Sequence, residues 1–148
     1  MYRIALTLFL LGAGCASTPK VPGQALYFAL QVRHEGKLVA KPKFLGETGK
    51  VARVERRHPG AALPDYDLVV QPTPRGDRYQ IIIDLSLPEV SAHSELAVLH
   101  GEVRQVELGH KPGELQLELM MMRVDSPEFR TLMELSERSE AIETPRSI

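Results

Sequence analysis

The sequence predicts a mainly β fold, a small antiparallel β-sandwich of about seven strands with a short C-terminal helix. Three observations lead there. Apolar and polar residues alternate with a period of two in several stretches, most clearly Leu26 to Val32, Tyr79 to Leu87 and Leu115 to Met121. Short segments bearing glycine or proline separate these stretches, as they do between antiparallel neighbours. The chain has 148 residues, 43% hydrophobic and 25% charged, which suffices for one apolar core but is short for two.

The elements follow in order. Leu26, Phe28, Leu30 and Val32 alternate with Tyr27, Ala29, Gln31 and Arg33, and His34-Glu35-Gly36-Lys37 places a glycine where a tight turn needs positive φ. The return strand runs from Leu38 to Leu45, and Pro42 within it marks an edge or a bulge. A turn near Gly49 leads to a short strand, Lys50 to Glu55, and then to a proline-bearing loop from Arg56 to Pro64. Tyr66 to Gln71 forms the next strand, closed by Pro72-Thr73-Pro74-Arg75-Gly76-Asp77. Tyr79, Ile81, Ile83, Leu85 and Leu87 share one face of the clearest strand. Val103 and Val106 are out of phase, which points to a bulge at Arg104-Gln105. After His110-Lys111-Pro112-Gly113, Leu115, Leu117, Leu119 and Met121 alternate with Gln116, Glu118, Met120 and Met122.

One segment changes period. Ser126-Pro127-Glu128 supplies a hydroxyl cap, a proline in the first turn and an acid at the positive dipole end. Phe129, Leu132 and Met133 then share one helical face. The helix either covers an open end of the sandwich or presents a docking peptide, and three apolar residues favour packing. From Glu137 onward the chain is charged, and a frayed tail is expected.

The N-terminus carries the strongest signal. Met1-Tyr2-Arg3 supplies a positive charge, Ile4 to Leu11 is apolar, and Gly12-Ala13-Gly14 precedes Cys15, the only cysteine. Such a run is too short for a permanent span and reads as a secretory signal peptide. It resembles the bacterial lipoprotein signal, in which the thiol after the small residues receives a diacylglycerol and becomes the new N-terminus. Gly12 stands where that family usually has leucine. The resemblance implies a signal peptide at 1–14, an acylated tether at 15–24 and lipid attachment at Cys15. Ala16 after the cysteine resembles the Gram-negative sorting pattern that favours the outer membrane, with the domain facing the periplasm. The folded domain is then expected over 25–125, with the helix and tail over 126–148. A lone cysteine agrees, because an exported domain with one thiol has no internal disulfide to form.

Gly36 to Leu45, followed by Gly49-Lys50-Val51-Ala52-Arg53-Val54, resembles a hairpin pattern of bacterial secretins, a strand with a central proline before a glycine turn and an Ala-X-Val strand. The likeness covers about twenty residues. It implies a small envelope domain built from similar hairpins, beside a secretion or pilus system, and no pore.

Signals for chemistry are few. With 18 Lys and Arg against 19 Asp and Glu there is no basic field to hold a nucleic acid. His34, His58, His93, His100 and His110 show no zinc-protease spacing, and no Gly-X-Ser-X-Gly elbow or glycine-rich phosphate loop occurs. Asp65 and Asp67 flank Tyr66 on one face and read as a solvated edge. Arg75-Gly76-Asp77 spells a tripeptide that integrins recognise, and it is equally what a tight polar turn requires. Met120-Met121-Met122 offers thioethers to soft metals, but on a strand the middle one points away from the other two.

These readings predict a module that binds or scaffolds an envelope protein, held to the membrane by its lipid, with no enzyme activity, cofactor or metal. An assembly factor that pilots a secretion or pilus component, as pilotins do, is the alternative. The expected partner contacts are Met120, Met122 and Val124 on the outer face of the last strand, with Phe129, Leu132 and Met133 of the helix.

Overall fold

The structure, a computed structural model, describes residues 23–143, with side chains through residue 139. The expected signal peptide, Cys15 and most of the expected tether lie outside the described residues. The expected β-sandwich is there, built from nine strands in two antiparallel sheets and one C-terminal helix among the described residues.

The strands are β1 (Ala25–His34), β2 (Lys37–Ala40), β3 (Lys43–Glu47), β4 (Ala52–Arg56), β5 (Tyr66–Arg75), β6 (Arg78–Ser86), β7 (Ser91–Val98), β8 (Val103–Leu108) and β9 (Leu115–Arg123), followed by α1 (Pro127–Glu143). Sheet A has the order β2-β1-β9-β8, with β3 also paired to β1, and sheet B has the order β4-β5-β6-β7. Neighbours in sequence pair within each sheet, β2 and β3 both lie along β1, and β9 closes against β1. The result is an up-and-down sandwich in which β3→β4 and β7→β8 carry the chain from sheet to sheet.

Alternation sets the core. Leu26, Phe28, Leu30 and Val32 of β1, Ile81, Ile83 and Leu85 of β6, and Leu115, Leu117, Leu119 and Met121 of β9 are fully buried between the sheets. Each such side chain contributes about 1.5–3 kcal/mol relative to an exposed one. The Phe28 and Phe44 rings stack at 5.2 Å, and a Cβ on Gly46 would stand only 2.9 Å from Phe28 Cε2. Gly46 thus makes room for the ring. In the β1–β2 hairpin both Glu35 (φ 49°) and Gly36 (φ 79°) are left-handed, the type I′ geometry expected there.

Several expectations about individual elements need correction. The strand expected from Leu38 to Leu45 is two, because the chain leaves the ladder at Lys41-Pro42 and rejoins β1 as β3; Leu30 N–H donates to Pro42 O at 3.0 Å across the break. A further strand, β7, comes from a stretch with a weak pattern, since two of its inward positions are Ala92 and Ser94. These two changes turn seven strands into nine. Pro72 and Pro74 do not close β5 but lie within it, paired with Ile81 and Tyr79. They are tolerated because β4 pairs no further along β5 than Val70, so no ladder partner awaits the missing N–H groups.

No bulge interrupts β8, whose register against β9 is continuous from Val103↔Met120 to Leu108↔Leu115. Val103 and Val106 simply face opposite sides, the first 52% exposed and the second packed on the core. The register shift in sheet A falls instead between Val32 and Arg33, against β2. The helix continues to Glu143, through the charged stretch expected to fray.

Candidate functional site

The outer face of sheet A is built from the residues that alternate with the core. Register aligns them in rows across the strands. Leu45, Tyr27 and Met122 form one row, and Lys43, Ala29, Met120 and Val103 the next. Gln31, Glu118 and Gln105 form the third, and Arg33, Gln116 and Glu107 the fourth. Directly opposed Cβ atoms in such rows lie about 4.5–5.5 Å apart, so each row is a strip of touching side chains. The face is consequently divided. Its half near the start of β1 is apolar apart from Lys43, with Leu45 65% exposed and Val103 52% exposed. Its other half is polar and shallow, a depression of about 330 Å³ lined by Gln31, Arg33, Gln105, Glu107, Gln116 and Glu118 among others.

Sheet B presents a different outer face, tied by polar pairs between strands. Arg53 grips Asp67 through two bonds of 2.9 and 2.6 Å, His93 Nδ1 lies 2.6 Å from Asp84, and Gln80 donates to Glu95. That is a solvated surface, and Asp67 belongs to it. Asp65 sits just before β5 with its carboxylate 2.5 Å from His58 Nδ1.

The helix starts on the apolar half of sheet A. Ser126 is buried, its Oγ donating to Arg123 O at 2.6 Å and accepting from Phe129 N–H at 3.2 Å, which makes it the N-cap. His100, from the β7–β8 turn, ties this corner together: its Nδ1 accepts the Arg123 N–H at 3.0 Å and its Nε2 meets Glu128 at 3.2 Å. The Glu128 carboxyl is held below the usual carboxylate range, chiefly by a hydrogen bond from its own backbone N–H and then by His100. One turn on, the Phe129 ring packs on Tyr27 at 5.3 Å with the planes tilted by 51°. Burial raises the Tyr27 phenol above its ordinary value. Beyond this corner the helix leaves the sheet. Leu132 and Met133 are half-buried, Leu135 is 54% exposed, and residues 134–139 are all exposed.

The structure therefore brings Met120, Met122 and Phe129 to one face. Met120 and Met122 are half-buried there, and Met121 faces the core as the alternation requires. Val124 is not on the last strand, which ends at Arg123; it lies half-buried in the turn before the helix, donating to Ala25 O at 3.1 Å. Sequence reasoning missed Tyr27, Leu45 and Val103. An aromatic at an outward position of β1 was the available signal for Tyr27, whereas Leu45 and Val103 join the patch only through pairing. Cys15 lies outside the described residues.

Among the described residues, no three His, Cys, Asp or Glu side chains converge to hold a metal, and no helix is long and apolar enough to cross a membrane. No family model matches the chain, and neither a curated protein nor a solved structure matches it.

Proposed function

We propose that this chain is an envelope lipoprotein, held on the outer membrane through acylated Cys15 with its sandwich in the periplasm, and that it binds or scaffolds a neighbouring envelope protein through the outer face of sheet A. The observation that carries the binding role is the divided face itself. A largely apolar half made by Ala29, Met120, Met122, Val103 and Leu45, with Lys43 at its edge, Tyr27 buried beneath Phe129 and the polar rows beside it, has the composition of an interaction surface. Methionines suit it, because their flexible thioethers adapt to a partner's shape. The anchor reading rests on the leader residues, Ile4 to Leu11 before Cys15.

A second reading, an assembly factor that escorts a secretion or pilus component, draws on α1. The helix is capped against the sheet at one end and exposed from Glu134 to Ser139, as a docking element would be.

In-cell crosslinking and pull-down of the C-terminally tagged protein tests both, beside Cys15→Ala and Met120→Glu/Met122→Glu variants. An envelope protein recovered with wild type and reduced at least about tenfold by the paired glutamates supports the face, since each substitution would bury an unpaired charge. Dependence of that partner's own outer-membrane delivery on α1 selects the escort. Equal recovery from the double variant and wild type refutes the face.

A further inference from the structure

Strand directions sort the molecule's turns into two ends. The β3–β4, β5–β6 and β7–β8 turns and the start of α1 lie at the end where β1 begins. The β1–β2, β4–β5, β6–β7 and β8–β9 connections lie at the other, about 30 Å away for strands of nine or ten residues. The incoming chain is fastened at the first end. Gly23 N–H donates to Glu47 Oε1 at 3.1 Å, and Gln24 and Thr48 exchange bonds of 2.8 and 3.0 Å. Tyr79 Oη donates to Gln24 Oε1 at 2.5 Å. The tether's last residues are therefore stitched to the turn that carries Val51.

Only seven residues separate Cys15 from Gly23, a reach of at most about 28 Å over the eight Cα–Cα steps. At this end stand Val51, 60% exposed, and Leu99, 36% exposed, on turns at opposite sides of the sandwich. Lys50, Arg75, Arg78 and Arg123 stand at this end together with Glu47, Asp77, Glu102, Asp125 and Glu128, and Lys50 Nζ is paired with Glu47 at 2.7 Å. The Glu102 carboxylate is occupied with the Leu99 N–H at 2.8 Å.

Resting on the lipid-anchor reading of Cys15, we infer that this end of the sandwich sits on the phospholipid surface, with Val51 and Leu99 entering the headgroup layer and Arg75 and Arg78 at the level of the lipid phosphates. The short, stitched tether leaves this end close to the bilayer, and its exposed apolar tips match an interface that is apolar below its headgroups. The orientation has a functional consequence. The strands stand upright, the outer face of sheet A looks sideways along the membrane, and its partner must present a surface within about 30 Å of the bilayer.

The chain contains no tryptophan and one cysteine, which makes the test direct. The chain from Cys15 onward is coupled through that thiol to a maleimide lipid in phosphatidylethanolamine–phosphatidylglycerol vesicles. Val51→Trp and Leu99→Trp report from the tethered end, and Leu63→Trp reports from the far end at a site equally exposed, 60% for both Leu63 and Val51. Far-UV circular dichroism checks that each variant is folded. With brominated acyl chains, the two tethered-end reporters shift to the blue and lose about half their emission, as expected for side chains about 5–10 Å into the interface, while Leu63→Trp keeps its own. Three unquenched reporters, or quenching of Leu63→Trp as strong as that of Val51→Trp, overturn the orientation. So does a photocrosslinker at Val51 that captures a protein in cells in place of lipid. Chemical coupling makes this outcome independent of acylation in the cell. Mass spectrometry of the N-terminal peptide from isolated envelopes tests that separately, and an unmodified Cys15 there removes the anchor reading alone.

Discussion

Replacing Phe129 with alanine measures what the helix does for the fold. A helix that closes an open end of the core would hold Phe129 as a core side chain, and its truncation would cost about 3–5 kcal/mol. The structure places Phe129 elsewhere. It is half-buried, its ring partner is Tyr27 at 5.3 Å, and Tyr27 belongs to the outer row of β1, opposite to Leu26 and Phe28. The loss is then one aromatic pair, about 0.5–1.5 kcal/mol, plus part of the transfer energy of a half-exposed ring, or about 1–2 kcal/mol in total. For a domain of about 120 residues this lowers Tm by about 4–8 °C, against about 12–20 °C for a core lid. Urea and thermal unfolding followed by circular dichroism separates the two ranges. A loss above about 3 kcal/mol, or broad non-cooperative unfolding, would refute the placement of the helix outside the core.

Further predictions concern packing and pH. Gly46→Val forces atoms against Phe28, whose Cε2 stands 2.9 Å from the position a Cβ would take, and costs about 1–3 kcal/mol by urea unfolding. Phe28→Leu in the same chain relieves part of that cost, so the double-mutant cycle is non-additive. Tyr27 and Tyr79 have phenols raised by burial, so they ionise above pH 10 in an ultraviolet titration; the neutral forms stabilise the fold below that pH, and the contribution is lost as pH climbs through the raised values. Glu128 works in the opposite sense. Its carboxyl is depressed, so its contribution is present above the ordinary carboxylate range and disappears as pH falls through the lowered value. Glu128→Gln is therefore less stable than wild type at neutral pH, and the two unfolding curves converge in acid.

The sequence made some elements legible and hid others for physical reasons. In β1, β6 and β9 both neighbours are strands and one face is core, so large apolar residues occupy every inward slot. In β7, an edge strand, Ala92 and Ser94 fill inward slots and erase the period. Proline misled in β5, because whether a missing N–H matters depends on how far the neighbouring strand extends. The cap at Ser126 was readable from three residues, but the length of α1 was not, since residues 134–139 are charged or exposed and pack on no core that would mark them in the sequence. Parity alone put Met120 and Met122 on the outer face. Val103 and Leu45 complete that patch through register with Met120 and Tyr27, which the linear sequence does not display.

Site-specific photocrosslinking in living cells bears most directly on the working face. A photoreactive residue at Met122, on the outer face of sheet A, is compared with one at Glu95, on the outer face of sheet B. A discrete envelope-protein adduct from Met122, absent from Glu95 and lost in a Cys15→Ala background, is the predicted result. Adducts of equal yield from both faces, or from Glu95 alone, would contradict it.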